Sequence, residues 1–207
     1  MNKKKIIIEL VVVVLLIVVV FAVITIRKVS ILNSLIAKGT EMGKLTNYHV
    51  KLNQEAETNT DAEVWRKDNE HFLVKMTSDY KDGFLHSTMY RNGDEQFRAD
   101  EIGEQKIVIK ATAFPTAGLT SLTEHMSASD VWKYVNQTSI RSVQLENKDC
   151  YEIAFKDNDM TVWIEKETGL IIKRQTTIGI DRFSYEIGTV TDADVQKPDL
   201  TGYTEMN

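Results

Sequence analysis

What this chain lacks excludes several kinds of chemistry. It has one cysteine, Cys150, so no internal disulfide can form and the small disulfide-stapled extracellular modules are ruled out. Its four histidines, His49, His71, His86 and His125, are scattered, without the H-x-H or H-E-x-x-H spacing that sets two imidazoles on one metal. No glycine-rich phosphate loop, G-x-S-x-G elbow or paired-carboxylate signature occurs. Asp157-Asn158-Asp159 and Asp192-Ala193-Asp194 superficially resemble calcium ligands. The first lacks the glycine and bidentate glutamate of a binding loop and reads as a hairpin turn. Cys150, one residue into a strand-like run with no histidine near it in sequence, reads as a small apolar filler rather than a nucleophile. The chain is therefore read as non-enzymatic, with no cofactor and no metal.

A cationic excess is missing too: 25 basic residues face 30 acidic ones, a net charge of −5. Setting aside Lys3, Lys4, Lys5, Arg27, Lys28 and Glu9 of the leader leaves 20 basic and 29 acidic residues, or −9, on the remainder. Such a surface has no affinity for nucleic acid by bulk charge and offers no polybasic patch to anionic lipid.

What is present begins with the leader. After the triplet Lys3 to Lys5, residues 6–26 contain only Glu9 and Thr25 as polar side chains. A helix of that length spans about 31 Å, the hydrocarbon thickness of a bilayer. A buried core helix of this length would need a polar face or caps, which the run does not offer. A cleavable signal peptide is the stronger rival, but its apolar region runs about 7 to 15 residues and ends in a small-x-small site. Here Thr25-Ile26-Arg27-Lys28 follows a longer run, and no lipid-attachment cysteine stands near the start. Residues 1–28 thus read as an uncleaved, single-pass signal anchor in the plasma membrane. The basic residues before the span outnumber Arg27 and Lys28 directly after it, which places the N-terminus in the cytoplasm and residues 29–207 outside.

Beyond the span, Ile31, Leu35, Met42 and Leu45 fall on one stripe, widened by Leu32, Ile36 and Gly39, the spacing of an amphipathic helix that faces a core. From Asn47 the texture changes to short runs punctuated by turn residues. Gly83, Gly93 and Gly103 recur ten residues apart, and Asp-Gly and Asn-Gly pairs supply the positive φ of tight hairpins, so the stretch predicts an antiparallel meander. If the Gly83 turn joins symmetric strands, His71 faces the neighbourhood of Arg91 and His86 that of Met76. Phe114, Pro115 and Gly118 mark a loop, and Ser127 with Asp130 opens a short helix bearing Val131, Trp132, Tyr134 and Val135. Strands resume from Ser139 to Val190, and the tail after Pro198 is polar, without evident regular structure. Roughly ten strands result, a number at which open sheets curl. Adjacent apolar residues such as Trp163-Ile164, Ile171-Ile172 and Phe72-Leu73-Val74 ask for cover on both faces. A curved sheet with helices packed on its concave side meets that need.

This order of elements, together with the segment DCYEIAFKDNDMTVWIEKETGLIIKRQ (149–175) and its K-E-T-G-L turn, resembles the lipoprotein-carrier superfamily of LolA, LolB, LppX and RseB type. The resemblance covers about residues 30–195. It implies a mainly β (α+β) fold: a curved, unclosed antiparallel half-barrel with an N-terminal helix and a lid helix, preceded by one transmembrane helix. It divides the chain into the anchor (1–28), a half-barrel domain (29–195) and a polar tail (196–207). Relatives bind acyl chains, lipids or partner proteins and do no covalent chemistry. The resemblance thus implies an extracytoplasmic binding protein that holds a membrane lipid or lipoprotein acyl chain. The alternative is an RseB-like module that contacts another envelope protein. This chain departs from the soluble carriers in its tether and from the lipid-anchored ones in lacking a lipobox. Trp65, Phe72, Met76, Met89, Trp132 and Trp163 are the residues expected to line or cover the cavity, since aromatic and thioether surface suits irregular apolar ligands. The same residue types fill ordinary cores, and one residue of register slip exchanges the two faces of a strand, so both readings stay open at this point.

Overall fold

The structure is a computed structural model that describes residues 3–81, 83–110 and 118–206. The expected loop around Phe114 and Pro115, and Asp82 of the expected Asp82-Gly83 turn, lie outside the described residues. One helix, α1 (Lys3–Met42), carries both the apolar run and the amphipathic stripe without a break. Its segment from Ile8 onward is long and apolar enough to cross a membrane, and side chains such as Phe21, 68% exposed, meet no protein. In lipid a β-branched run stays helical because each backbone N–H and C=O must find its partner within the segment. Past Lys28 the same helix turns inward: Leu32, Leu35 and Ile36 are buried. It ends where the Gly43 N–H donates to the Gly39 carbonyl (2.9 Å) and the Leu45 N–H to that of Met42 (3.0 Å).

The rest is mainly β. A first meander comprises β1 (Tyr48–Ala56), β2 (Thr60–Arg66), β3 (His71–Tyr80), β4 (Gly83–Asn92), β5 (Glu95–Ile102) and β6 (Gln105–Ile109). Residues Ala128–Asp130 form a 3₁₀ turn that runs into α2 (Val131–Tyr134), so the foreseen second helix is a single turn. Its start is held as expected from sequence, with the Asp130 carboxylate accepting from the Ser127 hydroxyl (2.6 Å) and N–H (3.4 Å). A second meander follows: β7 (Thr138–Leu145), β8 (Lys148–Phe155), β9 (Met160–Glu165), β10 (Ile171–Thr176) and β11 (Gly179–Ile187). The chain after Pro198 does contain regular structure, β12 (Thr204–Met206), which runs parallel to β6. All twelve described strands join one sheet in the order β12-β6-β5-β4-β3-β2-β1-β11-β10-β9-β8-β7. The sheet is open, and the two meanders meet where β1 pairs with β11 from Tyr48–Ile187 to Ala56–Gly179.

The hairpin register lies one residue from the expectation that His71 faces the neighbourhood of Arg91 and His86 that of Met76. His71 pairs with Asn92 and His86 with Thr77, because Tyr80 pairs directly with Gly83. The register assigns faces. On one face lie Val50 and Leu52 of β1, Val64 of β2, Val74 of β3, Met89 of β4, Val162 and Ile164 of β9 and Phe183 of β11. This face receives Leu32, Leu35 and Ile36 of α1, Val131 of α2, and Leu122 and Met126 between them. Tyr185 bridges its two apolar clusters and donates to the Ile171 carbonyl at 2.8 Å, and burial drives its phenol pKa upward. On the opposite face Leu73, Tyr90, Phe97 and Ala99 are covered by Val190, Val195, Leu200 and Tyr203 of the C-terminal segment. Asn47 fixes where that segment begins, donating from Nδ2 to the Val190 carbonyl (2.9 Å) and accepting the Val190 N–H (3.0 Å).

Adjacent apolar residues in the sequence thus find cover on both sides. Phe72 and Val74 share the helix-covered face while Leu73 lies under the C-terminal segment. A register shift between Ile171 and Lys173 lets Ile171 and Ile172 both be buried. Truncating one such fully buried aliphatic side chain to alanine costs about 2–5 kcal/mol.

Candidate functional site

A groove of about 840 Å3 lies on the face opposite α1, where β3, β2, β1 and β11 run side by side. Strand alternation sends polar side chains into it, Lys51 and Asn53 of β1, Asp61 and Glu63 of β2, Lys75 and Thr77 of β3, Arg182 and Ser184 of β11, and Leu52, Ala62 and Phe183 also contribute to its lining. Glu146, from the turn between β7 and β8, also lines it. Four strands separate β2 from β8, and a flat sheet would hold them roughly 24 Å apart. The sheet therefore twists and bends across this groove.

Cations and anions alternate around the groove and many are paired. Lys51 Nζ lies 3.3 Å from Glu63, Asn53 Nδ2 donates to Asp61 at 2.6 Å, and Arg182 pairs with Glu55 at the rim. Exposed pairs of this kind contribute at most about 1 kcal/mol each, so a ligand can exchange them at small cost. Among them stands the indole of Trp65. It stacks on the His49 ring (centroids 4.8 Å apart, planes at 11°), with the Lys75 ammonium 5.6 Å from its centroid. His49 is 8% exposed, 3.5 Å from Glu63 and 3.7 Å from Glu186, which fixes the plane against which Trp65 rests.

The six residues singled out from the sequence separate into three places. Phe72, Met76 and Met89 lie on the α1 side of the sheet, Met89 being buried with Val50, Val64 and Val74. Trp65 and Trp163 lie on the other side. Trp163 donates from Nε1 to Glu152 (3.1 Å) and carries the Lys173 ammonium 4.4 Å from its centroid. Trp132 projects from α2 at 64% exposure. Of the six, only Trp65 lines the large groove. The polar groove residues escape a reading of the sequence because the charged half of β1 and β2 looks like an ordinary solvent face. The available signal is Trp65 itself, which stands in phase with Asp61 and Glu63 rather than with Ala62 and Val64.

Other polar constellations have structural partners. Ser87, Asp100 and Arg98 form a network on the α1 side, with Ser87 Oγ donating to Asp100 (2.5 Å) and Arg98 Nε to the same carboxylate (2.8 Å). No histidine is among them. Cys150 is buried, and burial pushes its thiol pKa up, away from the thiolate a nucleophile needs. Burial, assisted by Arg174, lowers the His125 pKa and keeps the ring neutral. Among the described residues no group of three or more His, Cys, Asp or Glu side chains is placed to hold a metal ion.

No protein-family profile and no curated protein matches the chain. Two of the solved structures similar to it are 10% identical in sequence. One is the crystal structure of MucB in complex with MucA(peri), with 79% of this chain and 57% of that one covered at a TM-score of 0.41. The other is an uncharacterized conserved protein from Thermus thermophilus, with 83% and 97% covered at a TM-score of 0.42. The chain thus spans little more than half of the MucB chain. Neither similarity, at these values, assigns the chain to a family.

Proposed function

We propose that this protein is a membrane-anchored, extracytoplasmic, non-catalytic binding module, and that the groove around Trp65 receives a segment of another envelope protein. The observation that carries this reading is the groove's lining: charges of both signs and side-chain hydrogen-bonding groups, with Trp65 and Phe183 as its aromatic members. Such a surface suits a polypeptide, which brings backbone donors and acceptors and side chains of either charge. The anchor reading is supported by the continuity of α1. Cleavage just after the apolar run would cut within a helix whose next turns are core, at Leu32, Leu35 and Ile36.

The reading is tested by placing a photo-crosslinking amino acid at Thr77 or Ser184 in the full-length chain in its own membrane. Discrete protein adducts that disappear with Trp65→Ala, and that do not form from Ser139 on edge strand β7, are the expected result. Adducts of equal yield from all three positions would sink it.

A second reading has its own observation. Met76, Leu85, Ile102, Ile107 and Ile109 are only half-buried on the α1 side of β3 to β6, and with Phe72 and Met89 they supply apolar area for an acyl chain at about 25 cal/mol per Å². A stoichiometric lipid in native mass spectra that is lost in a folded Met76→Asp variant would favour this reading.

A further inference from the structure

The helix that leaves the apolar run has no linker before the domain begins. Lys28, two residues past the run, donates from Nζ to the carbonyls of Thr138 (2.8 Å) and Val135 (3.3 Å), which ties the end of α2 and the start of β7 to the point where α1 emerges. Ile24 still belongs to the apolar run, yet it lines a cleft of about 310 Å3 together with Arg27, Ile31, Ile140, Arg141 and Tyr151. Residues of β7 and β8 therefore stand level with a residue of the span itself. Three residues before Val135, whose carbonyl Lys28 holds, Trp132 is 64% exposed on the single turn of α2, followed by Lys133 and Tyr134. A tryptophan that would be a liability on a water-facing surface is favoured where hydrocarbon meets headgroups, since its ring is apolar and its N–H polar.

We infer that the domain rests on the outer leaflet of the membrane that α1 crosses, with Trp132 inserted at the interface and Arg27 and Arg141 at the depth of the lipid phosphates. The occupant of this face is the lipid surface itself. Arg141 lines the cleft from β7, at the edge of the sheet, and holds Glu152 through two bonds of 2.7 and 2.8 Å. Docked in this way, the domain cannot swing freely about its tether, and the Trp65 groove, on the sheet face away from α1, keeps a set orientation to the membrane. The inference rests on the anchor reading above.

The test uses the full chain in phosphatidylcholine–phosphatidylglycerol nanodiscs, with Trp65→Phe and Trp163→Phe leaving Trp132 as the sole tryptophan. Lipids brominated near the top of the acyl chain should quench its emission, which should also be blue-shifted and inaccessible to iodide. The complementary Trp132→Phe chain, with Trp65 and Trp163 retained, should lose the quenched component, and it guards against misfolding of the double variant. Insertion is scored separately by resistance to carbonate extraction. A chain that is inserted but shows iodide-accessible, unquenched Trp132 overturns this inference alone. A chain that is carbonate-extractable overturns the anchor reading and the inference with it.

Discussion

Gly169 sits at φ +75° in the K-E-T-G-L turn, and a Cβ there would lie 2.7 Å from Lys38 Cβ and 3.1 Å from both the Leu35 carbonyl oxygen and the Gly39 nitrogen. Two of these three neighbours are helix backbone, which cannot yield as a flexible side chain would. The turn is pressed onto α1, and Lys38 donates to the Lys166 carbonyl across the contact. On the adjoining side, Gly39 of the helix admits Ser121, whose Oγ would stand 2.6 Å from an added Cβ. Gly169→Ala combines a left-handed backbone penalty of about 1–2 kcal/mol with an overpacking cost of about 1–3 kcal/mol. It should lower stability by roughly 2–4 kcal/mol in chemical unfolding of the detergent-solubilised chain. Gly83, with open space around it, should accept alanine within about 1 kcal/mol, and equal effects at the two sites would refute the docking argument. The sequence shows the turn but not the helix against it: 130 residues separate Gly169 from Gly39, and glycine has the same letter whether it serves a hairpin or a close approach.

At the level of elements, legibility tracks periodicity. The strands of both meanders are readable because apolar residues alternate and turn residues bound them, and α1 is readable from its apolar run and the stripe at Ile31, Leu35 and Met42. The C-terminal segment is not, because Val190, Val195, Leu200 and Tyr203 follow neither a period of 2 nor one of 3.6 and are separated by polar residues. Yet this segment seals a whole sheet face. Tyr203 donates to Glu101, and burial together with that carboxylate pushes its phenol pKa up to about 12. Lys197 pairs with Glu95 at 2.5 Å and lies 6.0 Å from the Phe97 ring centroid. Val195 is 6% exposed, so Val195→Asp buries an unpaired charge, at a cost of about 2–4 kcal/mol if the segment stays in place. The segment should release instead, with increased binding of a hydrophobic dye over Leu73, Tyr90 and Phe97 and with chymotryptic cleavage after Tyr203 that the parent chain resists. A variant with unchanged dye binding and protease resistance would show that the segment is not a necessary cover.

For the whole molecule, what the sequence withholds is the order of strands. Consecutive hairpins are a local inference, but the neighbour of β1 across the sheet is β11, more than 120 residues later, and no local signal pairs Tyr48 with Ile187 or Ala56 with Gly179. The same limit hides the candidate site, since Arg182, Lys51 and Glu146 share a groove only once that pairing exists. The β1–β11 ladder also bears on cooperativity. It is supported by Tyr185, which packs against both apolar clusters, and by Asp181 of β11. The Asp181 carboxylate accepts from Gln54 of β1 at 3.0 Å and from Arg174 of β10 at 2.7 Å. Each meander alone would expose the edge of β1 or β11 that this ladder pairs. Domains of this size commonly unfold in one transition, and here the shared ladder gives the reason. Chains retaining only Trp65, in the first meander, or only Trp163, in the second, should therefore give coincident urea midpoints by fluorescence. Midpoints separated by more than the error of the fits would mean that the halves unfold independently and that the β1–β11 seam is a docking contact between them rather than part of one core.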